Sequence, residues 1–259
     1  MTLNSETLAS YPLPRQRLAG LLACIFFVVI CTSSQANDSY TLTLNTAAEP
    51  PLSTEFQNGF IDLVVKEALT RIGMTLHTVR LPAERALQDS NAGIIDGEII
   101  RVAGLEQTYA NLIAVPEKLM DLEFMAFSRK PVDLQTGWDA LAGHSIAFIN
   151  GWKILEHNTP REAEVTKVQT QSQLFNLLSL DRVDIVIYER WGGSHLLKAF
   201  NLSQARPILP PLAVRSMHIY LHRKHQPLVE KLDRALKDMK ADGTYQKIYN
   251  DILRLYQDQ

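Results

Sequence analysis

Leu236-Lys237-Asp238-Met239-Lys240-Ala241-Asp242-Gly243-Thr244-Tyr245-Gln246-Lys247-Ile248-Tyr249 reads as two helices meeting at a glycine. Pro227 starts the first helix, which sets Leu228, Leu232, Ala235, Leu236 and Met239 on one face. Gly243 breaks it, and residues 244–256 form a last helix. Just upstream, residues 217–222 read as a strand. Residues 206–215, with Pro207, Pro210 and Pro211, read as an extended connector, because proline fixes φ and lacks an N–H.

Further out, short apolar strands alternate with amphipathic helices. Residues 40–45 alternate as a strand, ended by Glu49-Pro50-Pro51. Residues 59–72 carry Ile61, Val64, Val65, Ala68, Leu69 and Ile72 at helical spacing, with Gly73 as the stop. Strands follow over 75–81, 94–102 and 122–128, with a helix over 83–91 after Pro82. A similar unit restarts after Pro131: a short helix at 138–141, a strand at 144–150, a helix opened by Gly151-Trp152, a strand at 165–170, a helix at 172–180 and a strand at 183–188. This order implies an α/β protein in which each unit is a mainly parallel sheet flanked by helices. Extended segments at 129–131 and 212–216 join the units, so two crossings form a hinge and a cleft lies between two lobes. Residues 37–129 with 217–259 are expected to form lobe 1, and 130–216 lobe 2.

Composition narrows the function classes. The 259 residues are 46% hydrophobic and 21% charged, as in an ordinary globular protein. A net charge of -2 gives no electrostatic support for nucleic-acid or anionic-lipid binding. Arg15 and Arg17 precede the apolar run LAGLLACIFFVVI at 18–30, and Ser34-Gln35-Ala36 follows. That order is a secretory signal peptide over residues 1–36, cleaved after Ala36; the run is short of the ~20 apolar residues a transmembrane helix needs. Both cysteines, Cys24 and Cys31, lie in this leader, so the exported chain is expected to lack disulfides, thiol nucleophiles and Cys-ligated metal. The exported chain carries 24 basic and 27 acidic residues.

Catalytic signatures are sparse. G-x-S-x-G, Walker A and G-x-G-x-x-G do not occur. Ser194 and His195 are sequence neighbours, which do not face each other in a regular element. His218 and His222, on one strand, stand about 13 Å apart and cannot share an ion. No catalytic residue, cofactor or metal site is expected.

Taken in order and spacing, several segments resemble the family 3 periplasmic solute-binding proteins, which include amino-acid receptors of ABC importers. They are the closing K-A-D-G-T-Y-x-K-I-Y at 240–249, Glu49-Pro50-Pro51, Gly59-Phe60-x-Asp62-Leu63, Gly93-x-x-Asp96-Gly97, Leu141-Ala142-Gly143-His144-Ser145-Ile146, Gly151 and Arg182-Val183-Asp184. The likeness spans nearly all of residues 40–258. It implies a type 2 periplasmic-binding fold: a two-lobed cleft that closes on a small polar or zwitterionic ligand and presents it to an inner-membrane permease or sensor, as a monomer in the periplasm, with no nucleic-acid partner.

The implied ligand-binding residues are Glu49 at the end of the first strand, Gly151 and Trp152 at a helix N-terminus, and Glu189 where amino-acid receptors hold the ligand ammonium, with Tyr188 beside it. Trp152 offers a flat face, and free N–H groups at Gly151 suit an anion. One departure stands out. The Arg that grips the ligand carboxylate in the amino-acid receptors is missing from Gly104-Leu105-Glu106-Gln107-Thr108. Arg101 on the strand end or Arg85 on the preceding helix is the expected substitute. Each charged candidate has a plainer reading as a solvated or surface-paired residue, and Trp152 and Tyr188 as packing residues.

An alternative on the same scaffold is an enzyme resembling the periplasmic cyclohexadienyl dehydratases. These eliminate water and CO₂ from a carboxylated ring, with Glu49 or Glu189 as acid and Arg85 and Arg101 as grips. Lytic transglycosylases carry a similar receptor-like domain; the sequence to Gln259 is expected to hold that part alone.

Overall fold

The computed structural model describes residues 40–256. The expected leader, its cleavage after Ala36, and Cys24 and Cys31 lie outside the described residues. Among the described residues no helix is long and apolar enough to cross a membrane.

The first half begins with β1 (Thr41–Asn45), whose alternation buries Leu42 and Leu44. Helix α1 (Phe60–Arg71) follows, burying Phe60, Ile61, Val64, Val65, Ala68 and Leu69. Its entry is fixed by Asp62, which accepts from Gly59 N at 3.0 Å, Thr54 N at 2.9 Å and Ser53 Oγ at 2.6 Å. Then come β2 (Thr75–Val79), α2 (Ala83–Asn91), β3 (Gly97–Val102), the short β4 (Leu112–Ala114) and β5 (Met120–Ser128).

The second half holds β6 (Ser145–Ile149), α3 (Lys153–Asn158), β7 (Glu164–Val168), α4 (Gln171–Ser179), β8 (Ile185–Glu189) and α5 (Arg190–Ala199). The chain returns through β9 (Arg206–His222) and closes with α6 (Gln226–Ala241), α7 (Thr244–Ile252) and a single 3₁₀ turn.

The strands order as β2-β1-β3-β9-β5-β8-β6-β7, with β4 beside β9. Parallel pairs occupy the two ends, β2-β1-β3 and β8-β6-β7. The middle is antiparallel: β5 and β9 pair with each other and hand the sheet from one end to the other. The α/β two-lobed expectation holds, and each end is a parallel sheet flanked by helices.

Several local expectations differ, among them the strand over 94–102, which starts only at Gly97, and the short β4, which the pattern does not mark. Residues 206–215 are not a free connector but the first part of a 17-residue strand. Pairing with β5 is interrupted between Ala213 and Ile208, where Pro210 and Pro211 lie. Proline without an N–H cannot continue a ladder, so the sheet accommodates it as an irregularity. The stretch 212–216 accordingly lies inside this strand. Helix α5 was not anticipated, because Gly192 and Gly193 lower its propensity. The last helix ends at Ile252, and Arg254–Tyr256 is a separate 3₁₀ turn.

The closing helices pack back on the first half. Tyr245 and Tyr249 meet Phe60 edge-on at 5.4 and 5.9 Å. They also reach the second half: Tyr249 meets Trp191 at 5.7 Å, and Tyr256 Oη lies 3.2 Å from His195 Nδ1.

Candidate functional site

A cleft of about 640 Å³ opens where the ends of β1 and β3 face the ends of β6 and β8. From the first half, Ala48, Glu49, Leu52, Ile100 and Arg101 line it. From the second come Gly151, Trp152, Tyr188 and Glu189, with Phe124, Arg215 and Met217 from the two crossing strands. Six of the seven residues singled out in the sequence thus share one cavity. Arg85 does not join them. It stands on the outer face of α2, 71% exposed, with Nε 3.5 Å from Asp89 one turn along.

Each candidate has a definite environment. Glu49 closes the turn after β1, where its carbonyl accepts from Leu52 N at 3.0 Å and Ser53 N at 3.1 Å. Partial burial raises its carboxyl pKa against the lowering influence of Arg80. Arg101 is committed to Glu98, with its Nε at 2.9 Å and Nη2 at 2.7 Å from Glu98 Oε2. Glu98 is itself buried and held by Asn45 Nδ2 at 3.0 Å and Ser90 Oγ at 2.7 Å. Arg101 is therefore a braced cation, not a swinging one.

The loop after β6 turns at Gly151 in the left-handed region, φ 86°. Its N–H points back into the chain and donates to Glu156 Oε1 at 3.2 Å. Helix α3 has only six residues. The anion-binding N-terminus anticipated here is thus already engaged by a carboxylate.

Trp152 and Tyr188 stack at 4.9 Å with 18° between planes, and Phe124 meets the indole edge-on at 5.7 Å. Burial pushes the Tyr188 phenol well up, helped by the negative charges of Glu189 and Glu49.

Glu189 ends β8 and caps α5. One carboxylate oxygen accepts from Trp191 N at 2.8 Å and the other from Gly192 N. It is 6% exposed. Burial pushes its pKa up to about 7, against the two N–H groups that favour the charged form. Its environment is that of a helix cap as much as of a ligand contact.

Residues that the sequence did not single out also line the cavity. Phe124 lies in a correctly read strand, and period-2 alternation could have placed it. His157 follows Trp152 by little more than one helical turn. Arg215 is missed because the sequence pattern starts its strand only at 217; Met217 opens that strand, but its facing toward the cavity is not encoded locally.

Among the described residues no three His, Cys, Asp or Glu groups converge on a metal site. The histidines near the C-terminal strand serve separately: His218 Nδ1 lies 2.9 Å from Val115 O, and His225 Nε2 lies 2.6 Å from Asp96 Oδ1. Ser194 and His195 are successive residues of α5, projecting about 100° apart.

No family model matches the chain. An uncharacterised protein of Shewanella oneidensis is 26% identical over 252 residues, covering 89% of this chain and 92% of that protein. The histidine-binding periplasmic protein of Escherichia coli K12 is 23% identical over 201 residues, 73% of this chain and 76% of the relative. Among solved structures, a histidine kinase sensor domain with similarity to periplasmic binding proteins superposes with a TM-score of 0.69 at 16% identity, covering 83% of this chain and 96% of the other. The chain has the two-lobed fold of the family 3 periplasmic solute-binding proteins, amino-acid receptors among them.

Proposed function

We propose that this protein is a periplasmic solute receptor that captures a small ligand between its lobes without chemical change and presents it to an inner-membrane permease or sensor. The observation that carries this is the cavity of about 640 Å³ walled from both halves of the molecule, with Glu49 and Arg101 on one side and Gly151, Trp152, Tyr188 and Glu189 on the other. A volume of this size suits a ligand of metabolite dimensions. Lobe 1 is residues 37–129 with 217–259, and lobe 2 is 130–216. The receptor works as a monomer and is exported by cleavage after Ala36; mass spectrometry of the exported form should give an N-terminus at Asn37.

The resemblance to a histidine-binding periplasmic protein and to a kinase sensor domain supports both halves of this reading, capture and presentation. A catalytic role finds less support. Of the two arginines that reading would use as grips, the guanidinium of Arg101 is held by Glu98 and Arg85 faces outward.

Thermal melting across a metabolite panel tests the proposal, since a ligand that binds the native state raises its melting temperature by mass action. At a free ligand concentration of a hundred times Kd the gain is about 2.7 kcal/mol. Trp152→Ala should abolish most of the shift. A panel without a single stabilising compound, or a shift unchanged in Trp152→Ala, defeats the proposal.

A further inference from the structure

The polar groups of the cleft are unequally satisfied. Arg101 is braced by Glu98, the Gly151 N–H is donated to Glu156, and both oxygens of Glu189 accept from the backbone of α5. Arg215 and His157 line the cavity but are exposed, so water screens the Arg215 charge. Glu49 differs from all of these. Among the described residues its carboxylate accepts no hydrogen bond and enters no ion pair. Arg80, the nearby cation, spends Nη1 on Ala48 O at 2.9 Å and Nη2 on Ser53 Oγ at 2.8 Å. Yet Glu49 is half-buried, so its carboxylate has lost part of its hydration. A partly desolvated anion facing a cavity is a site for a cation.

Asn158 donates to Ile154 O at 2.7 Å, and beside the Tyr188 ring most of the other walls are apolar: Leu52, Leu87, Ile100, Phe124, Trp152 and Met217. Leu52, Leu87 and Ile100 belong to the same half as Glu49, and Trp152 and Tyr188 to the other, where the negative charge of Glu49 helps to raise the Tyr188 phenol.

Given that the cleft is the ligand site, we infer that its ligand is an organic cation, with an ammonium or guanidinium group on Glu49 and an apolar, flat or alkyl body against Phe124, Trp152 and Met217. A carboxylate on the ligand is not required, because Gly151 N–H and Arg101 already have carboxylate partners within the chain and Arg215 is exposed to water. The cleft is thus an amine site built on the scaffold of an amino-acid receptor.

Matched pairs of probes test this on the protein expressed from its full sequence. Arginine is compared with agmatine, histidine with histamine, and phenylalanine with phenethylamine, by calorimetric titration; 3-phenylpropionate is the anionic control. In at least one pair the decarboxylated amine should bind as tightly as its parent amino acid or more tightly, and 3-phenylpropionate should not bind. Glu49→Gln should weaken amine binding about tenfold or more, the usual worth of a charge-assisted hydrogen bond. Its melting temperature without ligand should not fall below that of the unsubstituted protein, since the Glu49 carboxylate makes no hydrogen bond within the described residues and burial disfavours its charge. Amino acids that bind while their amines do not, amines that bind Glu49→Gln undiminished, or silence from every amine would each overturn the inference. Receptor function survives those outcomes if other compounds of the wider panel still bind, and fails only if none does.

Discussion

Glu189 sits between two demands. Two N–H groups of α5 call for a carboxylate, while burial resists charge, and the balance leaves its pKa at about 7. In the unfolded chain the same group ionises near the ordinary glutamate value, ~4.3. Between these pH values the folded state keeps a proton that the unfolded state has released. Stability conferred through Glu189 is therefore greatest at low pH, falls as pH rises from the unfolded to the folded pKa, and levels off above about 7. The drop is on the order of 3 kcal/mol. Glu189→Gln keeps an acceptor for the helix N–H groups and removes the titration. Melting temperatures from pH 4 to 8 should show the unsubstituted protein losing stability relative to Glu189→Gln across this window; parallel curves would refute the assignment. Sequence pattern could place Glu189 at a strand end but could not distinguish a cap from a ligand contact, because both want a carboxylate there. Arg85 and Arg101 pose the same difficulty: which guanidinium is exposed and which is braced depends on the register of β3 and the facing of α2.

At the scale of elements, α5 shows why glycine can hide a helix. Gly193 lies where α5 crosses β5, and a Cβ there would stand 2.1 Å from Phe127 Cζ and 2.4 Å from Cε2. Phe127 is fully buried and boxed against Phe175 at 5.7 Å, so it cannot swing aside. Gly193→Ala gains about 1 kcal/mol of helix propensity. Overpacking outweighs that gain, typically by costing about 1–3 kcal/mol, so the variant should melt below the parent; a higher melting temperature would show that the ring moves freely. Elements with strong periodicity, such as α1 and α6, were legible from their apolar stripes alone. Helix α5 was not, since its two glycines answer to a neighbouring ring that sequence does not reveal. The early part of β9 was hidden for the converse reason: its prolines speak for an irregular chain, and only pairing with β5 makes a strand of it.

At the scale of the molecule, the alternation of strands and helices carried the two-part α/β plan, and the segments at 240–249 carried the likeness to solute receptors. The cleft itself was readable as a location, because strand ends converge between the halves. Its chemistry was not, because it depends on which partner each charge finds: Glu98 for Arg101, Glu156 for Gly151 and the start of α5 for Glu189. The closing helices were expected on the first half. Their contacts through Tyr249 and Tyr256 to Trp191 and His195 tie them to both halves, a link between distant parts of the chain that local sequence does not encode.

The chain holds three tryptophans, and their placement gives it an optical readout. Trp138 packs against the main core and Trp191 lies beneath the Arg190 guanidinium, 5.4 Å from its ring, whereas Trp152 borders the cavity. Seating a guest would displace water from one indole and leave the other two in unaltered surroundings. Titration of the unlabelled protein should shift the tryptophan emission, and the shift should vanish in Trp152→Phe; a change that persisted there would mean that the light reports Trp191 instead.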